Sequence, residues 1–377
     1  MALSPMMQQY LQIKEENPDC LILFRLGDFY ELFFDDAKTV SRELELTLTG
    51  RACGLPERAP MCGVPYHAAD SYLPKLVERG HKVAICEQME DPAEAKGLVR
   101  REVVQILTPG TIDISGAAEA GENIYIASVY AAHKNIGIAY ADVTTGEMAC
   151  LHLEYGRDLD PLISELVKLS PREIVFGDSL LPEEVREALS DAQISSYLNP
   201  IDSSYYRRSL CEKTLLRQFD AASLISLDLD GKSDQVMAAG ALLLYLTDTQ
   251  KQEPEQFKYL RVLESGDSMQ LDRSTLRNLE LLETLYDKNK EGSLLGVLDR
   301  THTAMGARLL KRFIKEPLNN PKKINQRLDA VEAISRKPLE RNSLVNALKE
   351  IYDFERLSAR VASGRANGKD LVALKNT

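Results

Sequence analysis

Cys20-Leu-Ile-Leu-Phe-Arg-Leu-Gly-Asp-Phe-Tyr-Glu-Leu-Phe33 decides how the first part of the chain folds. Residues 20–24 are a compact apolar run of strand length, and Gly27-Asp28 is a two-residue signal for a hairpin turn. Residues 29–33 then form the return strand. Side chains alternate faces along a strand, so Phe29 and Glu31 share one face, roughly 6 to 7 Å apart, and Tyr30 and Leu32 share the other. Upstream, Ser4-Pro5 predicts a helix start with Ser4 as cap and Met7, Tyr10 and Leu11 at helical spacing. Downstream, Asp35 or Asp36 is expected to cap a helix carrying Ala37, Val40 and Leu44 on one face. The pattern continues as a helix over 71–79, a strand over 82–86, a helical turn over 92–97 and a strand over 102–107. The first domain, residues 1–113, is therefore expected to be mixed α/β.

Residues 113–122 are small and poor in large apolar side chains, which marks a boundary. A second α/β domain is expected over 122–248. It has strands at 123–131, 136–143 and 147–153, a helix at 159–169, a strand at 173–176, and helices at 182–190 and 235–247. Residues 249–256 read as a polar linker. Over 257–377 nearly everything is helical. Leu276, Leu279 and Leu282 lie on one side, Ile324, Leu328, Val331 and Ile334 recur later, and Thr303 is placed to cap a helix through Phe313. The fold class is thus multidomain α/β plus all-α. The chain stops amid helical material at Thr377, which reads as a truncation.

With 377 residues, 44% apolar and 27% charged, this is globular composition with room for two to four domains. The longest apolar run, 236–246, is about half the roughly 20 residues a membrane span needs. The N-terminus lacks a secretory signal, and the six scattered cysteines read as reduced thiols, so a cytoplasmic location is expected. The net charge of −11 is unevenly spread: −6 over 1–115, −13 over 116–298 and +8 over 299–377. The basic final stretch could face phosphate, or be the solvated face of a helix.

The chemistry centres on Phe29 and Glu31. An exposed phenyl ring can wedge between nucleobases and kink a duplex. The neighbouring carboxylate, close to phosphates, would have a raised pKa and could accept from a base N–H or, once protonated, donate to a base nitrogen. The alternative reading is Phe29 in the core with Glu31 solvated.

Residues 27–33 with Asp36-Ala37 resemble the mismatch-recognition motif of the MutS family of DNA mismatch repair proteins. Met6-Met-Gln-Gln-Tyr10, Pro60-Met-Cys-Gly-Val-Pro-Tyr-His67, Ala84-Ile-Cys-Glu-Gln88 and Thr108-Pro-Gly-Thr111 are similar to that family's first domain, in order and at matching spacing. In the third part, Leu271-Asp272, Arg277-Asn-Leu-Glu280, Ser293-Leu-Leu-Gly-Val-Leu298 and the run from Thr303-Ala-Met-Gly-Ala-Arg-Leu-Leu310 through Pro317-Leu318 stand where the family has its bundle signature. Phe313 sits where the family often has Trp.

The resemblance implies a mismatch-recognition domain, a ribonuclease H-like connector and the start of a helical core. It implies Phe29 as the wedge and Glu31 as the hydrogen-bonding partner of the mismatched base. Arg51, Lys96, Arg100 and Arg101 are the basic side chains that could meet the DNA backbone. The implied partners are double-stranded DNA with a mispair or small loop, a second copy of the protein, and a downstream repair protein of MutL type. The family's P-loop ATPase, with its ATP and magnesium, would lie beyond residue 377. Gly364-Arg-Ala-Asn-Gly-Lys-Asp370 has neither the spacing nor the hydroxyl of that motif, so no catalytic site and no cofactor are expected in this chain.

Three other readings compete. A ribonuclease H-like middle domain could be a nuclease with Asp142 as metal ligand, although Glu147, Asp178 and Asp202 follow no pattern that suggests convergence. Cys53, Cys62 and His67 could supply three zinc ligands. A connector plus a bundle could also be a protein-interaction scaffold that never touches DNA.

Overall fold

The computed structural model describes residues 3–90, 97–112, 121–154, 159–191, 196–264, 266, 268–269 and 271–377. The chain divides into two compact units, Met1–Ala117 with Tyr245–Glu253, and Ala118–Leu244 with Pro254–Thr377.

The first unit is a six-stranded mixed sheet with helices on both faces. Its strands are β1 (Cys20–Leu26), β2 (Phe29–Phe33), β3 (Thr49–Arg51), β4 (Ala59–Pro65), β5 (Lys82–Gln88) and β6 (Arg101–Leu107), in the order β3-β4-β2-β1-β5-β6. Only β1 and β5 run parallel; the other neighbours are antiparallel. Its helices are α1 (Pro5–Glu16), α2 (Phe34–Leu44) and α3 (Leu73–Glu78). The pleat sorts the core into two clusters. Leu21, Leu23, Tyr30 and Leu32 meet Ala37 and Val40 of α2 and Leu76 and Val77 of α3. Ile22, Phe24 and Phe33 meet Met7, Tyr10 and Ile13 of α1 on the other side. There the rings of Tyr10, Phe24 and Phe33 pack edge to face at 5.1 to 6.4 Å, the arrangement aromatic quadrupoles favour.

Both aspartates expected to cap α2 leave that role unfilled. The helix starts at Phe34 with Phe33 as its N-cap, and Asp36 turns inward. Its carboxylate accepts from the Tyr10 hydroxyl at 3.1 Å, the Lys14 ammonium at 2.9 Å and the Ile22 N–H at 3.1 Å. One buried charge thus joins α1, β1 and α2. Ser4 precedes α1 without a side-chain cap, and Pro5 occupies the first turn. The helical turn expected over 92–97 falls mainly outside the described residues.

The second unit is built on β7 (Tyr125–Ala132), β8 (Asn135–Asp142), β9 (Glu147–Glu154), β10 (Glu173–Gly177), β11 (Tyr197–Ile201) and β12 (Arg261–Leu263), in the order β11-β10-β7-β8-β9-β12. β7, β8 and β9 form an antiparallel meander, β10 and β11 add in parallel beside β7, and β12 adds in parallel beside β9. Helices α4 (Asp160–Leu169) and α5 (Glu183–Asp191) bury Leu162, Leu166, Val185 and Leu189 against Val129, Ile138 and Tyr140. Helices α6 (Arg208–Gln218) and α7 (Ser233–Gln250) follow. A Cβ on Gly137 of β8 would lie 2.2 Å from the Asp234 carbonyl oxygen, so a glycine is what lets α7 approach the sheet. Thr249 and Gln250, expected in a linker, are buried residues of α7. β3, β11 and β12 are short, β4 is interrupted by Pro60, Gly63 and Pro65, and α6 is largely polar, so none of them has an expectation from periodicity.

Seven helices complete the chain: α8 (Arg273–Asn278), α9 (Leu294–Leu298), α10 (Ala304–Lys315), α11 (Pro321–Ser335), α12 (Pro338–Lys349), α13 (Phe354–Ala362) and α14 (Gly368–Asn376). Thr303 caps α10 as expected, its hydroxyl accepting from Gly306 N–H. The expected face of Leu276, Leu279 and Leu282 is broken, because α8 ends at Asn278; Leu276 and Leu282 pack against a small cluster of Leu281, Leu295 and Ile314, and Leu279 is exposed. The stripe Ile324, Leu328, Val331 and Ile334 lies on α11 as expected and is exposed. α10 is anchored by Ile314, buried with Leu281 and Leu295, and by a polar junction. Arg308 is buried and donates to both Asp353 oxygens at 2.7 and 2.8 Å and to Glu355 at 2.7 Å. Burial alone would lower the guanidinium pKa, and these two carboxylates raise it instead.

All six cysteines are buried and unpaired, and burial pushes the Cys20, Cys86, Cys150 and Cys211 thiols up to about 12. The native chain is therefore expected to release almost no signal with a thiol reagent at pH 8 and six equivalents once unfolded. Asp36→Ala leaves Lys14 with the Cys20 carbonyl but no carboxylate and removes the acceptor of the Ile22 N–H, and is expected to cost about 3 kcal/mol in a urea titration.

Candidate nucleic-acid interface

The β1–β2 hairpin closes with Leu26 opposite Phe29, Arg25 opposite Tyr30 and Phe24 opposite Glu31. On its other edge β2 pairs with β4, Phe29 opposite Pro65 and Glu31 opposite Gly63. Phe29, Glu31 and Phe33 therefore share a face, and their fates diverge along it. Phe33 is buried in the aromatic cluster under α1, Glu31 is partly covered, and Phe29 is 45% exposed. The core reading of Phe29 fails, because the ring at the hairpin end of this face is left open to solvent. Tyr30 and Leu32, on the opposite face, are buried.

Glu31 lies over the backbone of β4. A Cβ on Gly63 would stand 3.3 Å from Glu31 Cγ and 2.9 Å from the Tyr30 carbonyl oxygen. Gly63 thus leaves the space the glutamate stem occupies. Arg51 of β3 donates through Nη1 to Glu31 Oε2, forming an ion pair.

On the opposite face, Arg25 organises the hairpin tip. Its Nε donates to the Gly27 carbonyl at 2.6 Å, and its guanidinium lies 3.7 Å from the Tyr66 ring centroid and 5.4 Å from that of Tyr30. The Tyr30 hydroxyl donates to Glu87, and burial with that carboxylate raises its pKa. Tyr66 is exposed, and its N–H donates to the Asp28 carbonyl at 2.9 Å, so it stands at the same end of the sheet as Phe29. Neither Arg25 nor Tyr66 was singled out from sequence. The signal available was their place inside the two quoted motifs.

The basic residues separate. Arg100 is exposed, pairs with Glu102, and its N–H donates to Glu90 at 2.8 Å. Lys96 lies outside the described residues. Arg101 corrects its expected role: it is 7% exposed, donates to the carbonyls of Arg25 at 2.7 Å and Val99 at 2.8 Å and to Gln9 Oε1 at 3.2 Å, and lies 4.9 Å from the Phe24 ring centroid. A guanidinium engaged inside the unit in this way serves the fold.

The competing constellations do not assemble. Asp142 is buried, with Oδ2 accepting from Asn123 Nδ2 at 2.9 Å and Ile124 N–H at 3.1 Å, and Oδ1 from Thr144 N–H at 2.9 Å and its hydroxyl at 2.7 Å. It ties the β8–β9 turn. Glu147 binds Arg261 at 2.7 Å, Arg312 at 3.2 Å and Tyr125 at 2.9 Å. Cys53 and Cys62 are buried in different core clusters, on opposite faces of the first sheet. Among the described residues no group of three His, Cys, Asp or Glu side chains could hold a metal ion. Among them, too, no helix is long and apolar enough to cross a membrane.

Comparison with known proteins matches three family models in order: MutS domain I over residues 4–115, MutS domain II over 124–259 and MutS domain III over 274–377. The DNA mismatch repair protein MutS of Acetivibrio thermocellus is 45% identical over 377 residues, covering 100% of this chain and 43% of that protein. The one from Alkaliphilus oremlandii is 45% identical over 383 residues with the same coverage, and that of Clostridioides difficile 45% identical over 375 residues, covering 100% of this chain and 39% of that protein. The chain spans less than half the length of the curated relatives it matches.

Gly63→Ala places a methyl group against the Tyr30 carbonyl and the Glu31 stem. The expected outcome is a loss of about 1 to 3 kcal/mol in chemical denaturation, from splaying β2 and β4.

Proposed function

The chain belongs to the MutS family, and from that premise we propose that it recognises mismatched or unpaired bases in duplex DNA as the reading part of a mismatch repair protein. The observation that carries this is Phe29: a large ring left exposed at the first position of a strand whose following residues are buried or partly covered. A single exposed apolar side chain is ordinary on a protein surface, and what gives this ring weight is its place in the Gly27–Phe33 motif within the stretch that matches MutS domain I. Held at the tip of a hairpin pinned by Arg25, it can enter a base step without first being ordered.

In this reading Phe29 wedges at the lesion and bends the duplex, while Glu31 hydrogen-bonds the displaced base. An ordinary pair resists, because stacking and pairing must both be given up; a mispair or an extra nucleotide has less to lose. Discrimination then comes from deformability, and phosphate contacts supply the salt-sensitive affinity through exposed cations such as Arg100. The order β11-β10-β7-β8-β9, a meander flanked by two parallel strands, supports a ribonuclease H-like connector over 122–248. With Asp142 tying a turn, that connector acts as a spacer and docking platform and not as a nuclease. The recognition domain over 1–113, the connector and the helical core over 257–377 work with a second copy of the protein and a MutL-type partner. The ATP and magnesium chemistry of the family belongs to sequence outside this chain.

The test is fluorescence anisotropy at stated low salt with duplexes of one sequence that differ by a single G·T pair or one unpaired T. Stacking of one base on an aromatic ring is worth about 1 to 3 kcal/mol, so Phe29→Ala is expected to reduce the lesion-to-matched affinity ratio about tenfold or more and bring it close to one. Equal ratios for parent and variant would remove Phe29 from the site.

A further inference from the structure

We propose that Arg51 is a specificity-determining positioning residue, which acts by holding the Glu31 carboxylate in the orientation that reads the base. The inference rests on the proposed function and assigns to Arg51 a role distinct from a phosphate contact. Arg51 engages one oxygen only, Nη1 to Oε2. The other, Oε1, has no hydrogen-bond donor among the described residues. The carboxylate stem is fixed from below by the backbone at Gly63, and the side chain is 15% exposed against 38% for Arg51. A largely covered glutamate with one oxygen clamped and the other without a donor among the described residues is an oriented acceptor, suited to a base N–H presented beside Phe29.

The pairing also answers an electrostatic problem. A bare carboxylate next to an exposed aromatic ring would repel the phosphates on either side of any step the ring enters. Arg51 cancels that charge locally, so the approach of the duplex is not opposed while the acceptor is kept. The neighbours opposite Glu31 in the sheet, Phe24 and Gly63, carry no charge that could do the same. Arg101 of β6 is near enough to Arg51 for their like charges to interact, but its own donors go to internal acceptors. Sequence spacing alone could not make this connection, because Arg51 lies on the edge strand β3 and Glu31 on β2, with β4 between them.

The experiment is a double-mutant cycle in the full chain: parent, Arg51→Ala, Glu31→Ala and the double variant, each titrated with lesion and matched duplexes at two salt concentrations. Arg51→Lys serves as a second single variant that keeps the charge, and thermal melting checks that each protein is folded. If Arg51 acts through Glu31, Arg51→Ala lowers the lesion-to-matched ratio several-fold. Glu31→Ala lowers it comparably, and the double variant shows no further loss. If Arg51 only contacts phosphate, its removal weakens both duplexes equally, reduces the salt slope by about one contact, and adds to the effect of Glu31→Ala; that result overturns the inference. A parent chain that binds neither duplex, or binds both equally, overturns the mismatch-recognition reading itself and this inference with it.

Discussion

Strand β2 lies in the interior of its sheet, hydrogen-bonded to β1 on one side and β4 on the other, and that position governs everything at the candidate site. Because both edges are paired, the register cannot slip by one residue without exchanging the two faces. Tyr30 and Leu32 are committed to one core cluster and Phe33 to the other. The five-residue strand therefore locks the direction of Phe29 and Glu31 through the burial of their neighbours. A loop could present the same two side chains, but it would not hold them as rigidly as the proposed wedge requires.

The rigidity of β2 is borrowed from what lies behind it. Asp36 sits three residues beyond the strand and binds α1 through Tyr10 and Lys14 and β1 through Ile22, so the segment that leaves the site is fixed at once. Arg25 fixes the turn at the other end through Gly27. In the second unit polar junctions recur: Arg308 with Asp353 and Glu355, and Glu147 with Arg261 and Arg312. Such pairs contribute little net stability when charges must be desolvated, yet losing one partner is costly, which makes them better at specifying an arrangement than at strengthening it.

Much of the fold was legible because its signals were local. The apolar run 20–24, the Gly27-Asp28 turn and the three-strand meander each follow from alternation and turn chemistry over a few residues. What stayed hidden depended on partners far away in sequence. β3, β11 and β12 are short, and they exist because a neighbouring strand offers them a ladder. Asp36 reads as a helix cap until three distant groups claim it. Arg101 reads as a surface cation until Gln9 and two carbonyls take its donors. The stripe of α11 was located correctly and its burial was not, since a periodic stripe says which side is apolar and nothing about what covers it; the stripe read over 276–282 runs past the end of α8.

Phe29 and Glu31 were paired by the strand's period of two; whether the ring was exposed could not follow from that period. The difference is set by tertiary packing: Phe33 is buried in the cluster under α1, while Phe29, at the hairpin end of the same face, is left exposed. This is also what separates a wedge from an ordinary core phenylalanine in chemical terms. A ring with one side in protein and the other in water has kept its hydrophobic driving force unspent, and a widened or weakened base step is a surface that can satisfy it. Under the proposed function selectivity needs only a modest polar contribution, because the expensive part, opening the step, is decided by the DNA before any side chain reads it.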